Sequence, residues 1–291
     1  MTTTPCQVCD SRDFRRLGEK ADHTFVKCRT CGLERIDPPP TDEVLAKVYG
    51  EHYYDAWGLK ADEDAVARLK RSTFRRVVGG AGRLPKGSKV LDCGAATGFL
   101  MQVAKDDFGY DPYGVELSEY GAKKIADTFG EGHVFCGEIA DAHLPGIKDG
   151  DFRAIFMCDY IEHVRDPAAV LARAYQMLAP GGVLGISTPR VDSLTHRTMG
   201  MGWTHYKVEH LYYFSDDSLA RLLRKVGFSG YRAHGQWKTM NLKYMTHQFA
   251  VYPHGLLTHV INATMKVVPR RAQTAPFPIM MGELVAYATK P

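Results

Sequence analysis

Residues 90–99 read "VLDCGAATGF", a short apolar strand running into a glycine-rich turn. Turns of this kind usually cradle a phosphate on backbone amides at a helix N-terminus. Here a carboxylate, Asp92, stands at the end of the strand, just before the first glycine. The pattern is D-x-G-x-A-x-G over Asp92, Gly94, Ala96 and Gly98, not the G-x-G-x-x-G of a dinucleotide site. A carboxylate there repels a phosphate and suits a ligand that carries a cation.

Working outward, the turn opens a helix, and "YGVELS" (113–118) follows as a second strand with Glu116 at its end. Strand, glycine turn, helix and acid-ended strand make a mononucleotide-binding half-fold, in which Glu116 accepts the two ribose hydroxyls. S-adenosylmethionine (SAM) is a nucleoside with an ammonium, a sulfonium and no phosphate. Gly94 and Gly98 let the backbone approach it closely.

The segment resembles motif I of the class I SAM-dependent methyltransferases. Glu116 matches their motif II acid, Leu117 follows it as a further cofactor contact, and Ala96 replaces the commoner middle glycine. "VFCGEIADAHLP" (134–145) resembles the third-strand motif, where Glu138, or alternatively Asp141, would hold the adenine. "FRAIFMCDYIEHVRDP" (152–167), "MLAPGGVLGISTP" (177–189), "LARLLRKVGF" (219–228) and "GELVAYATK" (282–290) resemble the later elements. The resemblance covers roughly residues 60–291 and is strongest to the branch with the ubiquinone-pathway O-methyltransferases. Branch members with an N-terminal zinc ribbon are similar to enzymes acting on sugars, polyketides and other secondary metabolites. The implied fold is α/β, a Rossmann-like class I methyltransferase sheet with helices on both faces, preceded by a small zinc ribbon.

The ribbon has its own signal. Residues 6–31 carry C-x2-C, eighteen residues, C-x2-C. Four thiolates at Cys6, Cys9, Cys28 and Cys31 can close a tetrahedral zinc site with no open position, so the metal reads as structural. Gly32 fits the second knuckle turn, and "HTFVKC" reads as a strand. Cys93, Cys136 and Cys158 stand singly, and an odd set of this kind suits a reducing cytosol. "DPPPTDE" (37–43) reads as a linker, with Thr41 the N-cap of a helix. Helices are expected over roughly 42–57 and 62–79. The expected domains are the ribbon at 1–40, linker and helices at 41–80, and the methyltransferase domain at 81–291, with a helical insertion at 237–276.

Methyl transfer from SAM needs an aligned nucleophile and, for a hydroxyl, a proton acceptor. Asp159 ends the fourth strand and heads D-x-x-E-H with Glu162 and His163. A helix starting here would put the three on one face, able to hold Mg²⁺ or Zn²⁺. The plainer reading has Asp159 line the SAM or substrate pocket while Glu162 and His163 pack and hydrogen-bond. The long loop 188–215 follows the fifth strand and should close over substrate; it offers His196, His205 and His210 as candidate bases. The resemblance implies that Tyr53 and Tyr54 cover the SAM site; simple aromatic packing is the alternative.

Charge is unevenly spread. Residues 218–282 hold nine Lys/Arg and no acid, leaving 28 of the 37 basic residues against all 33 acidic ones. That points to an anionic partner or to a solvated basic face. Within this stretch two helical stripes run from Leu242 to Tyr252 and from Leu256 to Val268. They pack on the sheet or on a second subunit, or form a lid over 240–271 that meets a lipid tail or membrane surface. No signal peptide or membrane span is read, so a cytoplasmic enzyme, peripheral to the inner face of the membrane in the lid reading, is expected. The acceptor is expected to be a small molecule, anionic or lipid-linked: a phenol or quinone precursor, or a sugar. A nucleic-acid methyltransferase using the ribbon and a SAM-binding scaffold without catalysis are the rival readings. The ribbon's mixed charges and the lack of an aromatic-basic stripe argue against nucleic acid.

Overall fold

The computed structural model describes residues 4–48, 63–251 and 255–291. The chain opens with a three-stranded unit, β1 (Phe14–Lys20), β2 (His23–Cys28) and β3 (Glu34–Ile36), followed by α1 (Asp42–Val48) and α2 (Glu63–Gly80). The expected helix over 42–57 is described only to Val48, and Tyr53 and Tyr54 lie outside the described residues. Then come β4 (Lys89–Cys93), α3 (Phe99–Phe108), β5 (Asp111–Glu116), α4 (Glu119–Phe129), β6 (Val134–Cys136), β7 (Phe152–Cys158), α5 (Pro167–Met177) and β8 (Leu178–Pro189). The remainder is α6 (Leu194–Met199), β9 (Tyr212–Tyr213), α7 (Asp216–Val226), β10 (Ser229–Gly235), β11 (Lys238–Met240), α8 (Leu242–Val251), α9 (Gly255–Val267), α10 (Arg270–Gln273), β12 (Phe277–Ile279) and β13 (Glu283–Thr289).

Seven strands form the main sheet in the order β10-β13-β8-β7-β4-β5-β6. Only β13 runs against the others. The central strands are apolar on both faces, as strands covered by helices on each side must be. On one face Leu91, Ile155, Met157, Leu184 and Ile186 pack with Leu171 and Ala174 of α5 and Leu219, Leu222 and Leu223 of α7. On the other, Val90, Ala154, Phe156 and Tyr287 pack with Val77 and Val78 of α2 and Leu100, Val103 and Ala104 of α3. The helix starts are written in side chains: the Asp166 carboxylate caps α5 through the amides of Ala168 and Ala169, and Ser215 and Ser218 make a capping box on α7.

Strand order reverses between β4 and β7, which places a crevice at their carboxyl ends. Asp92 and Asp159 both stand there. Among the described residues, the insertion between β10 and β13 holds two longer helices, α8 and α9, and the short α10, framed by the β11–β12 ladder. It is tied to α2, where the Thr239 amide donates to Thr73 Oγ1 at 3.0 Å and Arg76 donates to the Trp237 carbonyl at 2.7 Å. Cys6, Val8, Cys28, Cys31 and Leu33 of the N-terminal unit share one apolar cluster with Leu211, Phe214, Leu219 and Leu222. Among the described residues, no helix is long and apolar enough to cross a membrane.

Candidate active site

The glycine turn has the shape its pattern implies. Gly94 (φ 73°), Ala96 (φ 51°) and Gly98 (φ 85°) all occupy the left-handed region. Ala96 therefore takes a conformation that costs an L-residue roughly 1 kcal/mol or more. At Gly94 a Cβ would come within 2.7 Å of the Tyr160 ring, which lies against the turn. Asp92 is buried, and its carboxylate has no hydrogen-bond partner among the described residues. Burial, reinforced by Glu116, pushes its pKa well above the usual carboxylate range, while Lys70 opposes the rise. Such a group gains most from a ligand cation.

Glu116 does more than wait for a ribose. Its Oε2 accepts from the Ala96 amide at 2.7 Å and its Oε1 from the Ser118 amide at 2.9 Å. These two bonds tie the carboxylate to the turn and to the start of α4. Leu117, next along, is 62% exposed, a flat apolar surface open to an adenine. Glu138 and Asp141 are both exposed at the following turn.

Beside the turn lies a cavity of about 200 Å³, lined by α2, the ends of β7 and β8, residues 204–210, β11 and α8. Its apolar wall includes Phe74, Tyr244, Met245 and Phe249; its polar end gathers Asp159, His163, His205, His210, Lys238 and Glu283. Asp159 sits at φ 52°, and its Oδ2 lies 3.2 Å from Lys238 Nζ, which also bonds Glu283 Oε1 at 2.7 Å. Burial pushes Asp159 up, but Lys238 and Lys70 outweigh it and keep the carboxyl ionised. Burial lowers all three cavity histidines, His163 to about 4, His205 to about 3, and His210 well below its ordinary value. They are neutral at pH 7 and present lone pairs or N–H donors, not charge.

The expected helix at 159–163 is not there. The chain makes a turn, and α5 begins only at Pro167, because Asp166–Pro167 supplies the cap and first helical residue. The Mg²⁺ set Asp159/Glu162/His163 is corrected accordingly: Asp159 is paired with Lys238, and Glu162, His163 and His210 each bring a ligand atom within 4.8 Å of the others. Glu162 Oε1 and His210 Nδ1 are buried without partners. Two imidazoles and a carboxylate suit a transition metal rather than Mg²⁺. His196 does not reach the cavity. Its Nε2 meets Tyr206 Oη at 2.9 Å and Glu34 Oε2 at 3.3 Å, on the side of the N-terminal strands.

Three cavity residues, Lys70, Lys238 and Glu283, are not among the site residues expected from the sequence. Glu283 carried a signal, since it is the first acid after the acid-free stretch and Lys238 lies within that stretch. Lys70 gave none, being one cation on an amphipathic helix. Burial lowers its pKa to about 7. Since the unfolded value lies near 10.4, the unfolded chain binds the extra proton between about pH 7 and 10. Stability from this group is therefore full above that window and lost as pH falls through it. The wild type is expected to gain stability relative to Lys70→Met by up to ~1.4 kcal/mol per pH unit across the window. Urea unfolding at pH 7.5, 8.5 and 9.5 measures it; parallel curves would refute the assignment.

The four N-terminal cysteines converge. Cys6 and Cys31 sulfurs lie 3.5 Å apart, those of Cys9 and Cys28 3.6 Å, and all four within 4.8 Å. Zn–S bonds of about 2.3 Å in a tetrahedron require sulfurs roughly 3.8 Å apart. Each knuckle turns on a left-handed residue, Asp10 (φ 59°) and Gly32 (φ 78°).

A switch-point crevice with an acid where a phosphate cradle would stand, beside a partly open cavity, belongs to an α/β fold with a parallel central sheet. A family described as a methyltransferase domain matches residues 63–232, more than half of the chain, and the chain belongs to that family. It is 32% identical over 111 residues to a ubiquinone biosynthesis O-methyltransferase of Psychrobacter arcticus, covering 35% of this chain and 41% of that protein. A 2-methyl-6-phytyl-1,4-hydroquinone methyltransferase of Synechocystis is 25% identical over 109 residues, covering 38% of this chain and 34% of that protein. The aligned stretch spans less than half of these curated relatives. The fold is that of a SAM-dependent methyltransferase from Archaeoglobus fulgidus, at 17% identity and a TM-score of 0.54, covering 82% of this chain and 100% of that one.

Proposed function

We propose that the chain transfers the methyl group of SAM to a hydroxyl of a small-molecule acceptor held in the cavity. The observation that carries this is the buried Asp92 carboxylate, without a hydrogen bond among the described residues, at a left-handed glycine turn beside a partly open pocket. Bound at the turn, SAM supplies a methyl already made reactive by its sulfonium. Asp92 meets the ammonium, Glu116 takes the ribose hydroxyls, and Leu117 with Glu138 flanks the adenine. On the acceptor side the chain must orient the oxygen and remove its proton. As the oxygen–methyl bond forms and the sulfur–methyl bond breaks, one neutral imidazole, that of His205 or of His210, takes the single proton, with ionised Asp159 and Lys238 fixing the polar end. Zinc on Cys6, Cys9, Cys28 and Cys31 is structural, because four thiolates leave no open position.

The cavity is apolar at one end and polar at the other, which suits a phenol or quinol carrying a tail, and the quinone-pathway names of the relatives support that class. On α9, Val260 and Val267 are exposed beside Lys266, with Arg270 and Arg271 following. That face supports contact with an anionic membrane surface from which a lipid-linked acceptor is drawn. Incubation with methyl-labelled SAM and fractionated lysate tests the reading. Label is expected in the organic phase. Label in nucleic acid, or SAM binding with no transfer into any fraction, overturns it.

A further inference from the structure

Residues 203–211 form the cavity wall that carries His205 and His210, yet this segment has almost no regular structure. Something must fix it, since ordering an irregular segment costs about 1–2 kcal/mol per residue, and its Trp203, Tyr206 and Leu211 are buried. Part of the anchorage comes from the methyltransferase core. The Leu211 amide donates to the Glu162 carbonyl at 2.8 Å, and His205 Nε2 lies 3.1 Å from the Met281 carbonyl. A second part comes from the N-terminal strands. β9 extends their sheet, with Glu34 opposite Tyr213 and Arg35 opposite Tyr212. Lys20 Nζ donates to the Trp203 carbonyl at 2.8 Å. The Phe25 ring lies 4.7 Å from that of Tyr206.

Glu34 is the centre of this contact. It is 1% exposed, and its carboxylate accepts from the Tyr206 hydroxyl, from Lys27 Nζ at 3.0 Å, and faces His196 Nε2 at 3.3 Å. Burial works against its charge, but His196, Tyr206 and Lys27 outweigh it and hold the carboxyl below its ordinary range. Tyr213, paired with Glu34 across the ladder, closes the path: its hydroxyl receives the Lys207 amide at 3.1 Å and donates to the Lys207 carbonyl at 2.9 Å. A buried carboxylate of this kind is a costly way to gain stability and a good way to fix one geometry.

We infer that Glu34 is a positioning residue, through which the metal-binding N-terminal unit holds the wall carrying His205 and His210 in its working place. The unit is then part of the acceptor site and not an appendage. This rests on the methyltransferase reading only for what the wall does; the coupling itself is independent of it.

The test uses the full zinc-loaded chain, with the imidazole ¹⁵N signals of His205 and His210 assigned from His205→Gln and His210→Gln. Glu34→Ala is expected to shift or broaden both signals while SAM affinity stays within about twofold. Glu34→Gln, which still accepts from Tyr206 and Lys27, is expected to restore them largely. Tyr206→Phe removes only the hydroxyl, so it reports on the same contact if Glu34→Ala does not fold. Unmoved imidazole signals in the folded variants overturn the inference. A wild type that binds no SAM overturns the function reading and leaves this measurement standing.

Discussion

Replacing Cys31 by serine is expected to remove about one zinc per chain and to unfold far more than thirty residues. A structural site of this type contributes on the order of 10 kcal/mol of binding free energy that is also folding free energy. An isolated ribbon would melt alone and leave a second, unchanged transition. Here Cys6, Cys28 and Cys31 pack into the same cluster as Leu211, Phe214 and Leu219, and β3 pairs with β9. The loss is therefore expected to lower the main melting transition by tens of degrees, on the usual ~2–4 °C per kcal/mol for domains of this size. Metal analysis with calorimetry measures both. A separate low transition with the main one unmoved would show that the two parts fold independently, and a folded metal-free wild type would remove the zinc site.

The second large effect belongs to Glu116. In the proposed SAM complex two charge-assisted bonds to ribose hydroxyls would together be worth roughly 3–6 kcal/mol, and the bonds it makes to the Ala96 and Ser118 amides hold the glycine turn. Glu116→Ala is expected to weaken SAM binding by at least about a hundredfold and to abolish ligand-induced thermal stabilisation at moderate SAM concentrations. Asp92→Ala is expected to act in the same direction on SAM. It should also raise the stability of the free protein, because burial and the neighbouring Glu116 disfavour this carboxylate more than Lys70 supports it. Normal SAM-induced stabilisation in both variants would end the cofactor assignment. Loss of SAM stabilisation with a more stable Asp92→Ala protein separates a binding role from a folding one.

What was legible in the sequence is what local rules govern. The turn at 92–98, the acid at 116, the paired cysteines and the two stripes of the insertion each follow from spacing within a few residues, and each stands where its pattern put it. What was not legible depends on contacts between distant segments. The i, i+3, i+4 argument for Asp159, Glu162 and His163 assumed a helix that Asp166–Pro167 starts later, so spacing selected the wrong partner and missed His210. His196 looked like its neighbours His205 and His210, and only the pairing of β3 with β9 turns it toward Glu34. Lys238 and Glu283 meet because β11 and β13 converge on the cavity, which no window of sequence contains.

The α8–α9 roof leaves the sheet at Gly235 and returns to it opposite, at Leu284, the two residues being direct partners on one rung. What lies between them is not a detachable cassette: Lys238 pairs with Asp159 at the crevice, and Tyr244 shares an apolar cluster with Ala96 and Phe99 of the glycine turn and its helix. A change in the roof is therefore felt on both sides of the crevice at once.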